Sequence, residues 1–382
     1  MKSFNFFMPT QIRFGVGRIS ELKEVSENLG KKCLLISRPL NGSQKKTYER
    51  INGILNEAGV SVFNFDEIIP NPTTEGVERG IEKAVEHQVD FILGVGGGSV
   101  MDSAKLIAFL YNAEAKINWD NAIEKYSNPF AVGPSPKTSL PFVAVSTTSG
   151  TGSQSTQAAV VSDTNNKNKV TIFHSGLFPY VSIVDPELML TVPAHVTAAT
   201  GFDAFTHAFE SYLGNLTSPL TESMSLQAIK IVFDYLPIAI ENPADIEART
   251  QLAWADTLAG ICLANGGAQL PHPLGEIIGG ICPRVPHGET LAIVYPEFLK
   301  YKEPLAQDKF DRVARYINSK DDDRSLGERI IGLMKKVRLS EALQRANLTK
   351  EEHKEIMNHP LLTLLMPENT DQIKKIMSNS LA

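Results

Sequence analysis

Along the first half of the chain, short apolar runs alternate with segments in which apolar residues recur every three or four positions. Residues 31–37 (KKCLLIS), 60–65 (VSVFNF), 89–98 (VDFILGVGGG) and 140–153 (LPFVAVSTTSGTGS) each hold a continuous apolar stretch. The last two run out into glycines and small hydroxylated residues. Between the strand-like runs, residues 48–59, 75–88 and 99–111 carry helical spacing. Strands that are apolar on both faces, alternating with helices, predict a parallel sheet covered on both sides. After VSIVDPELML (181–190) the pattern changes. Residues 198–213, 223–236 and 248–264 all show helical periodicity. DPELMLTVP is therefore read as a boundary. It gives an α/β domain over residues 1–187 and an all-helical domain over residues 188–382. No internal repeat or low-complexity tract interrupts this order, and KDDDR (320–324) reads as a solvated loop.

Composition changes this picture little. A length of 382 residues suits about two domains. The net charge of −6 argues against a nucleic-acid footprint, which needs a basic patch. No run of about 18 apolar residues predicts a membrane span. MKSFNFFMPTQIRFG lacks the apolar core of a signal peptide. Three scattered cysteines, Cys33, Cys262 and Cys282, make no disulfide framework. The expectation is a cytoplasmic protein with no nucleic acid or membrane as partner.

Candidate chemistry sits in four stretches. GVGGGSVMDSAK (94–105) follows a predicted strand and opens a predicted helix. Its glycines allow close approach of backbone to ligand, and the helix start offers free N–H groups to a phosphate. A tight turn is the plainer reading, but three consecutive glycines are costly for a turn alone. The spacing is not the usual G-x-G-x-x-G, so it does not by itself establish a dinucleotide site. STTSGTGS (146–153) follows another strand and is either a loop or a lining of the same crevice; beside the first stretch, the lining is the better reading. In GFDAFTHAFE (201–210), Asp203 and His207 share a helix face. Alone, that pair is best read as surface polar residues. LPHPLGEIIGGICPRVPHG (270–288) then sets His272 and His287 against prolines, with Gly279, Gly280, Pro283 and Pro286 allowing the chain to fold back. The two histidines are either one core and one loop residue, or two further ligands to an ion held by Asp203 and His207. One carboxylate and three imidazoles suit Fe²⁺, Zn²⁺ or a similar ion. The other five histidines lie in no such context.

Together GGGSxxDxxK, TTxGTGS, VDPEL, TGxDAxTHAxE and the HPxG…PHG block resemble the iron-containing (group III) alcohol dehydrogenase family. The likeness runs from about Pro9 to Pro296, with the motifs in family order; the last part of the chain matches only as a helical tail, short for the family. The resemblance implies a dehydroquinate synthase-like fold with a nucleotide-binding α/β domain, a helical metal-binding domain and a cleft between them. It implies metal ligands at Asp203, His207, His272 and His287, with Fe²⁺ as the ion and Zn²⁺ as the alternative. Diphosphate contacts fall on Gly97, Gly98 and Ser99, further nucleotide contacts on Thr147, Thr148 and Thr151, and others on Lys169 and Asn71. It also implies an alcohol or aldehyde substrate and a homodimer or larger homo-oligomer.

Two positions depart from the family pattern. Many members carry another histidine four residues after the third ligand; here that position is Glu276, a candidate for proton transfer. Many NAD-dependent members end the corresponding strand with an aspartate for the ribose 2′-hydroxyl. Here Ser37 and Arg38 stand there, and an arginine pairs with a 2′-phosphate, so NADP(H) is expected over NAD(H). Rival readings are a polyol- or glycerol-type dehydrogenase, a dehydroquinate-synthase-like lyase, and a non-catalytic nucleotide and metal binder. No basic cluster for a phosphorylated substrate supports the lyase. Trp119, Phe173, Phe205 and Trp254 are candidate apolar walls for the substrate.

Overall fold

A computed structural model describes residues 3–39, 44–112, 117–129, 134–164, 168–317, 323–365 and 367–382. Residues 320–322 of the KDDDR stretch lie outside this set. Contacts divide the chain into two units, Phe6–Val192 with Pro243–Ala253, and Pro193–Asn242 with Trp254–Ala382.

The first unit is built on strands β1 (Gln11–Phe14), β2 (Lys32–Ile36), β3 (Ser61–Phe65), β4 (Phe91–Gly96), β5 (Phe142–Ser146), β6 (Ala158–Asp163), β7 (Asn168–Phe173) and β8 (Val181–Val184). Six form one parallel sheet in the order β1-β8-β5-β4-β2-β3, while β6 and β7 pair as an antiparallel hairpin. Successive side chains of a strand leave opposite faces, and both faces here are buried. Cys33, Leu35, Phe91, Leu93, Val143 and Val145 pack on one side with Leu22, Val25, Ile51 and Leu55 from α1 (Leu22–Glu27) and α2 (Lys45–Glu57). Leu34, Ile36, Ile92 and Ala144 pack on the other with Val77, Ile81, Ala104 and Ile107 from α3 (Thr74–His87) and α4 (Gly98–Phe109). Burial of each such aliphatic side chain stabilises the fold by about 1.5–3 kcal/mol.

Register places the candidate loops. β4 pairs with β5 from Ile92↔Phe142 to Gly96↔Ser146, so the turns that follow both strands leave the same end of the sheet. β2 pairs with β4 up to Ile36↔Gly94, which brings the Ser37–Arg38 turn to that end as well. Chain order runs outward from β2 to β3 on one side and from β4 to β5 on the other. The gap between β2 and β4 is thus the reversal point where open parallel sheets take ligands. The sequence pattern did not mark β1, the β6–β7 hairpin or the short α5 (Trp119–Lys125).

The second unit holds α6 (Ala194–Leu213), α7 (Pro219–Glu241), α8 (Ile246–Gly266, from Trp254 onward), α9 (Pro271–Ile281) and α10 (His287–Lys302). Shorter helices follow: α11 (Gln307–Tyr316), α12 (Leu326–Lys336), α13 (Ala342–Ala346), α14 (Lys350–Met357), α15 (Leu361–Leu364) and α16 (Thr370–Ser380). From Gly201 to Leu213 every residue of α6 is buried, so this helix runs through the core rather than over it. Phe202, Phe205 and Phe209 stack along it with ring centroids 5.5 Å apart. α7 is apolar and long enough, by length and composition, to cross a bilayer. It lies along α6, with 50% of its most apolar window buried and an exposed Lys230–Asp234 pair on its outer side.

Candidate metal centre and nucleotide loops

Asp203 and His207 lie mid-length in α6, only 2% and 4% exposed. A carboxylate and an imidazole this deeply buried require partners. α9 begins at Pro271, whose fixed φ suits the first helical position, so His272 falls in the first turn. α10 begins at His287, behind Pro286 as its N-cap. The stretch expected to let the chain fold back is therefore largely a helix, and Pro271 and Pro286 stand at helix starts. Donor atoms of Asp203, His207 and His272 all lie within 4.8 Å of one another. Nε2 of His207, His272 and His287 stands 3.6, 3.8 and 3.8 Å from one oxygen, Asp203 Oδ1. The His207 and His272 rings stack at 4.6 Å, and His287 meets His272 edge-on at 5.5 Å.

These separations fit a shared cation. They exceed hydrogen-bond length, and donors about 2.1 Å from one ion in a tetrahedral set stand about 3.4 Å apart. His272 Nε2 is buried and has no hydrogen-bond partner among the described residues. A buried ring nitrogen left without a partner is the mark of a ligand atom rather than of a satisfied core histidine.

Two carboxylates complete the surroundings. Glu210, wholly buried in α6, places Oε2 2.8 Å from His272 Nδ1 and accepts a 2.8 Å bond from the Gln269 N–H. Glu276 is half-buried on α9, one turn past His272. Burial pulls the His272 imidazole down, but Glu210 first, then Asp203 and Glu276, push it up to about 9. Sequence reasoning passed over Glu210, although it lies on the Asp203–His207 face, three residues past His207. Phe205, expected as a substrate wall, belongs to the aromatic core instead, wholly buried between Phe202 and Phe209.

In the sheet unit, Gly97 caps α4 without a side chain, so the first N–H groups of that helix lack intrahelical acceptors. Gly97, Gly98 and Ser99 are half-buried. A Cβ on Gly97 would stand 2.9 Å from Thr148 Oγ1, and one on Gly98 2.6 Å from Thr151 Cγ2. Only glycine lets the two turns meet this closely. Thr147 is buried beside them, its hydroxyl without a hydrogen-bond partner among the described residues. Beneath the turns, Asp102 accepts from Ser153 Oγ (2.7 Å) and the Val160 N–H (3.0 Å). Lys105 donates to Thr156 O, Thr156 Oγ1 and Ala158 O at 2.9, 3.0 and 2.7 Å. Three acceptors match the three protons of a charged ammonium, although burial pulls this lysine down to about 8 against the opposing charge of Asp102. The hairpin gathers two more expected residues: Ser162, paired with Lys169, donates its N–H to Pro72 O next to Asn71. Asn71 adopts a left-handed φ of 56°. Arg38 is exposed at the end of β2, beside the buried Ser37.

Glycine turns at the carboxyl end of a parallel sheet suit a dinucleotide, and a buried cradle of one carboxylate and three imidazoles suits a divalent ion. A chain built this way falls among the metal-dependent, nicotinamide-linked dehydrogenases. It belongs to the iron-containing alcohol dehydrogenase family, whose sequence model matches residues 9–186, while that of the family's C-terminal domain matches residues 197–381. The match thus continues well past Pro296, where the recognisable motifs stop. The chain is 32% identical to the NAD-dependent methanol dehydrogenase of Bacillus methanolicus over 86% of its own length and 81% of the relative's. It is 30% identical to the NADPH-dependent butanol dehydrogenase of Clostridium saccharobutylicum, covering 91% and 88% of the two chains. Among solved structures, an alcohol dehydrogenase from an archaeal halo-thermophile of a Red Sea brine pool superposes with a TM-score of 0.89 at 28% identity, covering 100% of both chains. The protein is accordingly a metal-dependent, NAD(P)-linked alcohol dehydrogenase.

Proposed function

We propose that the enzyme interconverts a primary or secondary alcohol and its carbonyl compound, with a divalent ion, Fe²⁺ or else Zn²⁺, on Asp203, His207, His272 and His287. NADP(H) is its preferred coenzyme. The convergence of three imidazole nitrogens on Asp203 Oδ1 carries the metal assignment. When bound, the ion supplies Lewis acidity toward the substrate oxygen and the nicotinamide carries the hydride. Asp203 brings the one negative charge among the four donors, which therefore do not by themselves neutralise a divalent ion. His207 and His272 hold that charge deep in the protein, while His287, at 26% side-chain exposure, marks the open side. Glu276 accepts the proton that the alcohol releases. In the sheet unit, the N–H groups of Gly98 and Ser99 hold the diphosphate, with Gly97 leaving room for it. Thr147, Thr148 and Thr151 line the nucleotide, and Asn71 and Lys169 flank it from the hairpin side.

Arg38 supports the coenzyme preference. It is exposed where β2 ends at the reversal point, and a guanidinium cannot accept from a ribose 2′-hydroxyl as a carboxylate does. Its guanidinium suits a 2′-phosphate.

The test is metal analysis of the purified protein together with reduction of short and medium aldehydes by NADPH and by NADH, before and after chelation. We expect about one ion per chain and activity that disappears on chelation and returns with Fe²⁺ or Zn²⁺. A charge-assisted hydrogen bond is worth about 1.5–3 kcal/mol, so Arg38→Ala should cost about 10-fold or more in kcat/KM with NADPH and little with NADH. Absence of bound metal, with turnover untouched by chelation, would overturn the site. A wild-type preference for NADH would overturn the coenzyme assignment alone.

A further inference from the structure

Glu210 has no place among the four donors, yet it is the most deeply buried carboxylate around them, at 0% exposure. It follows Asp203 by seven residues and His207 by three, which puts all three side chains on one face of α6. Its Oε2 meets His272 Nδ1 at 2.8 Å and also accepts from the Gln269 N–H at 2.8 Å. Gln269 lies just before Pro271, the first residue of α9. One oxygen therefore fixes both the ring of His272 and the start of the helix that carries it. An imidazole facing two ways has a choice of which nitrogen bears the proton and of which edge points inward. A carboxylate against Nδ1 removes both choices. Nδ1 is committed to the carboxylate, and the nitrogen left to face a cation is Nε2, the atom 3.8 Å from Asp203 Oδ1 that has no hydrogen-bond partner among the described residues.

We infer that Glu210 is the positioning residue of the metal centre: through its bond to Nδ1 it holds His272 with Nε2 turned toward the cation that Asp203 and His207 also face. The inference rests on reading the cluster as a divalent-cation site. Burial of a carboxylate is costly unless its partners compensate, and the partners here are the two groups that orient a donor. Removing such an outer partner typically weakens metal binding by about 10- to 100-fold.

Co²⁺ titration of the chelator-stripped full-length enzyme, followed by visible absorption, provides the test. Glu210→Gln keeps the shape and an acceptor oxygen but removes the charge, and it should bind Co²⁺ about 10-fold more weakly than wild type, with an altered band shape. Glu210→Ala should lose about 100-fold. Wild-type affinity and an unchanged spectrum in folded E210Q would overturn the inference, as would a lowered melting temperature with no change in either. A wild-type chain that takes up no Co²⁺ would overturn the metal site itself and the inference with it. Should neither variant fold, ¹⁵N-histidine spectra of the Zn²⁺-loaded wild type decide the matter. A slowly exchanging Nδ1–H on His272 is expected, and an Nε2–H on that ring would refute the role.

Discussion

Position 276 joins His272 on one face of α9, a helical turn further on, and its charge reaches the His272 ring. General acid–base catalysis by a placed side chain is worth about 10²–10⁴-fold, so Glu276→Gln should lower kcat for alcohol oxidation by about 100-fold and leave metal content unchanged. A loss of less than threefold would remove Glu276 from the proton path. At this scale the sequence was informative where residue types are rare. Two histidines beside prolines, read with an Asp–x₃–His pair, marked four candidate donors, and the structure brings the three imidazoles to one oxygen of the fourth, Asp203. Glu210 escaped notice because a glutamate late in an amphipathic-looking stretch reads the same whether it faces solvent or a buried ring. Its partners, Gln269 and His272, follow some sixty residues later. Phe205 shows the reverse difficulty, since an aromatic residue beside ligands looks like a pocket wall until its stacking neighbours are known.

Helix starts place the later donors. α10 approaches α6 so closely at Gly288 that a Cβ there would stand 2.0 Å from Ala199 O. That approach carries the neighbouring His287 to Asp203. Glycine is required for the contact, since backbone on the far side cannot yield as a flexible side chain would. Overpacking typically costs about 1–3 kcal/mol, and Gly288→Ala should also move His287 outward. A lower melting temperature together with weaker Co²⁺ binding is expected, whereas wild-type values for both would show that the contact relaxes freely. Elements themselves were legible where burial imposes a simple pattern: β2, β4 and β5 are sealed on both faces and read as continuous apolar runs. β1 escaped because it is a four-residue edge strand with no buried position. The hairpin strands β6 and β7 were obscured by mixed sequences, AAVVSD and NKVTIF, that show neither a long apolar run nor clean alternation.

Across the helical unit, the C-terminal helices are tied back to those of the candidate metal site by Arg284, which lies between α9 and α10. It bonds both oxygens of Glu352 on α14 and the carbonyls of Ala346 and Asn347. The Arg284 hydrogen bonds, helped by the Thr349 N–H, hold the Glu352 carboxyl down at about 2, against an ordinary 4.5. A carboxyl depressed on folding contributes stability that is present above its unfolded value and lost as pH falls through its folded one. Arg284→Ala should therefore lower the urea midpoint at pH 7, and the gap from wild type should close between about pH 4.5 and 2. A gap independent of pH would assign the effect to packing. The residues proposed to face the nucleotide and those proposed to hold the metal fall in different units, Arg38 in one and Asp203, His207, His272 and His287 in the other. If those proposed roles hold, coenzyme choice and Lewis-acid chemistry are set by separate parts of the chain. A lineage that shifts its supply of reducing equivalents can follow by altering a single turn after β2, with no change to the ion that activates its substrate. Relatives that match most of this chain are named for NAD and for NADPH alike.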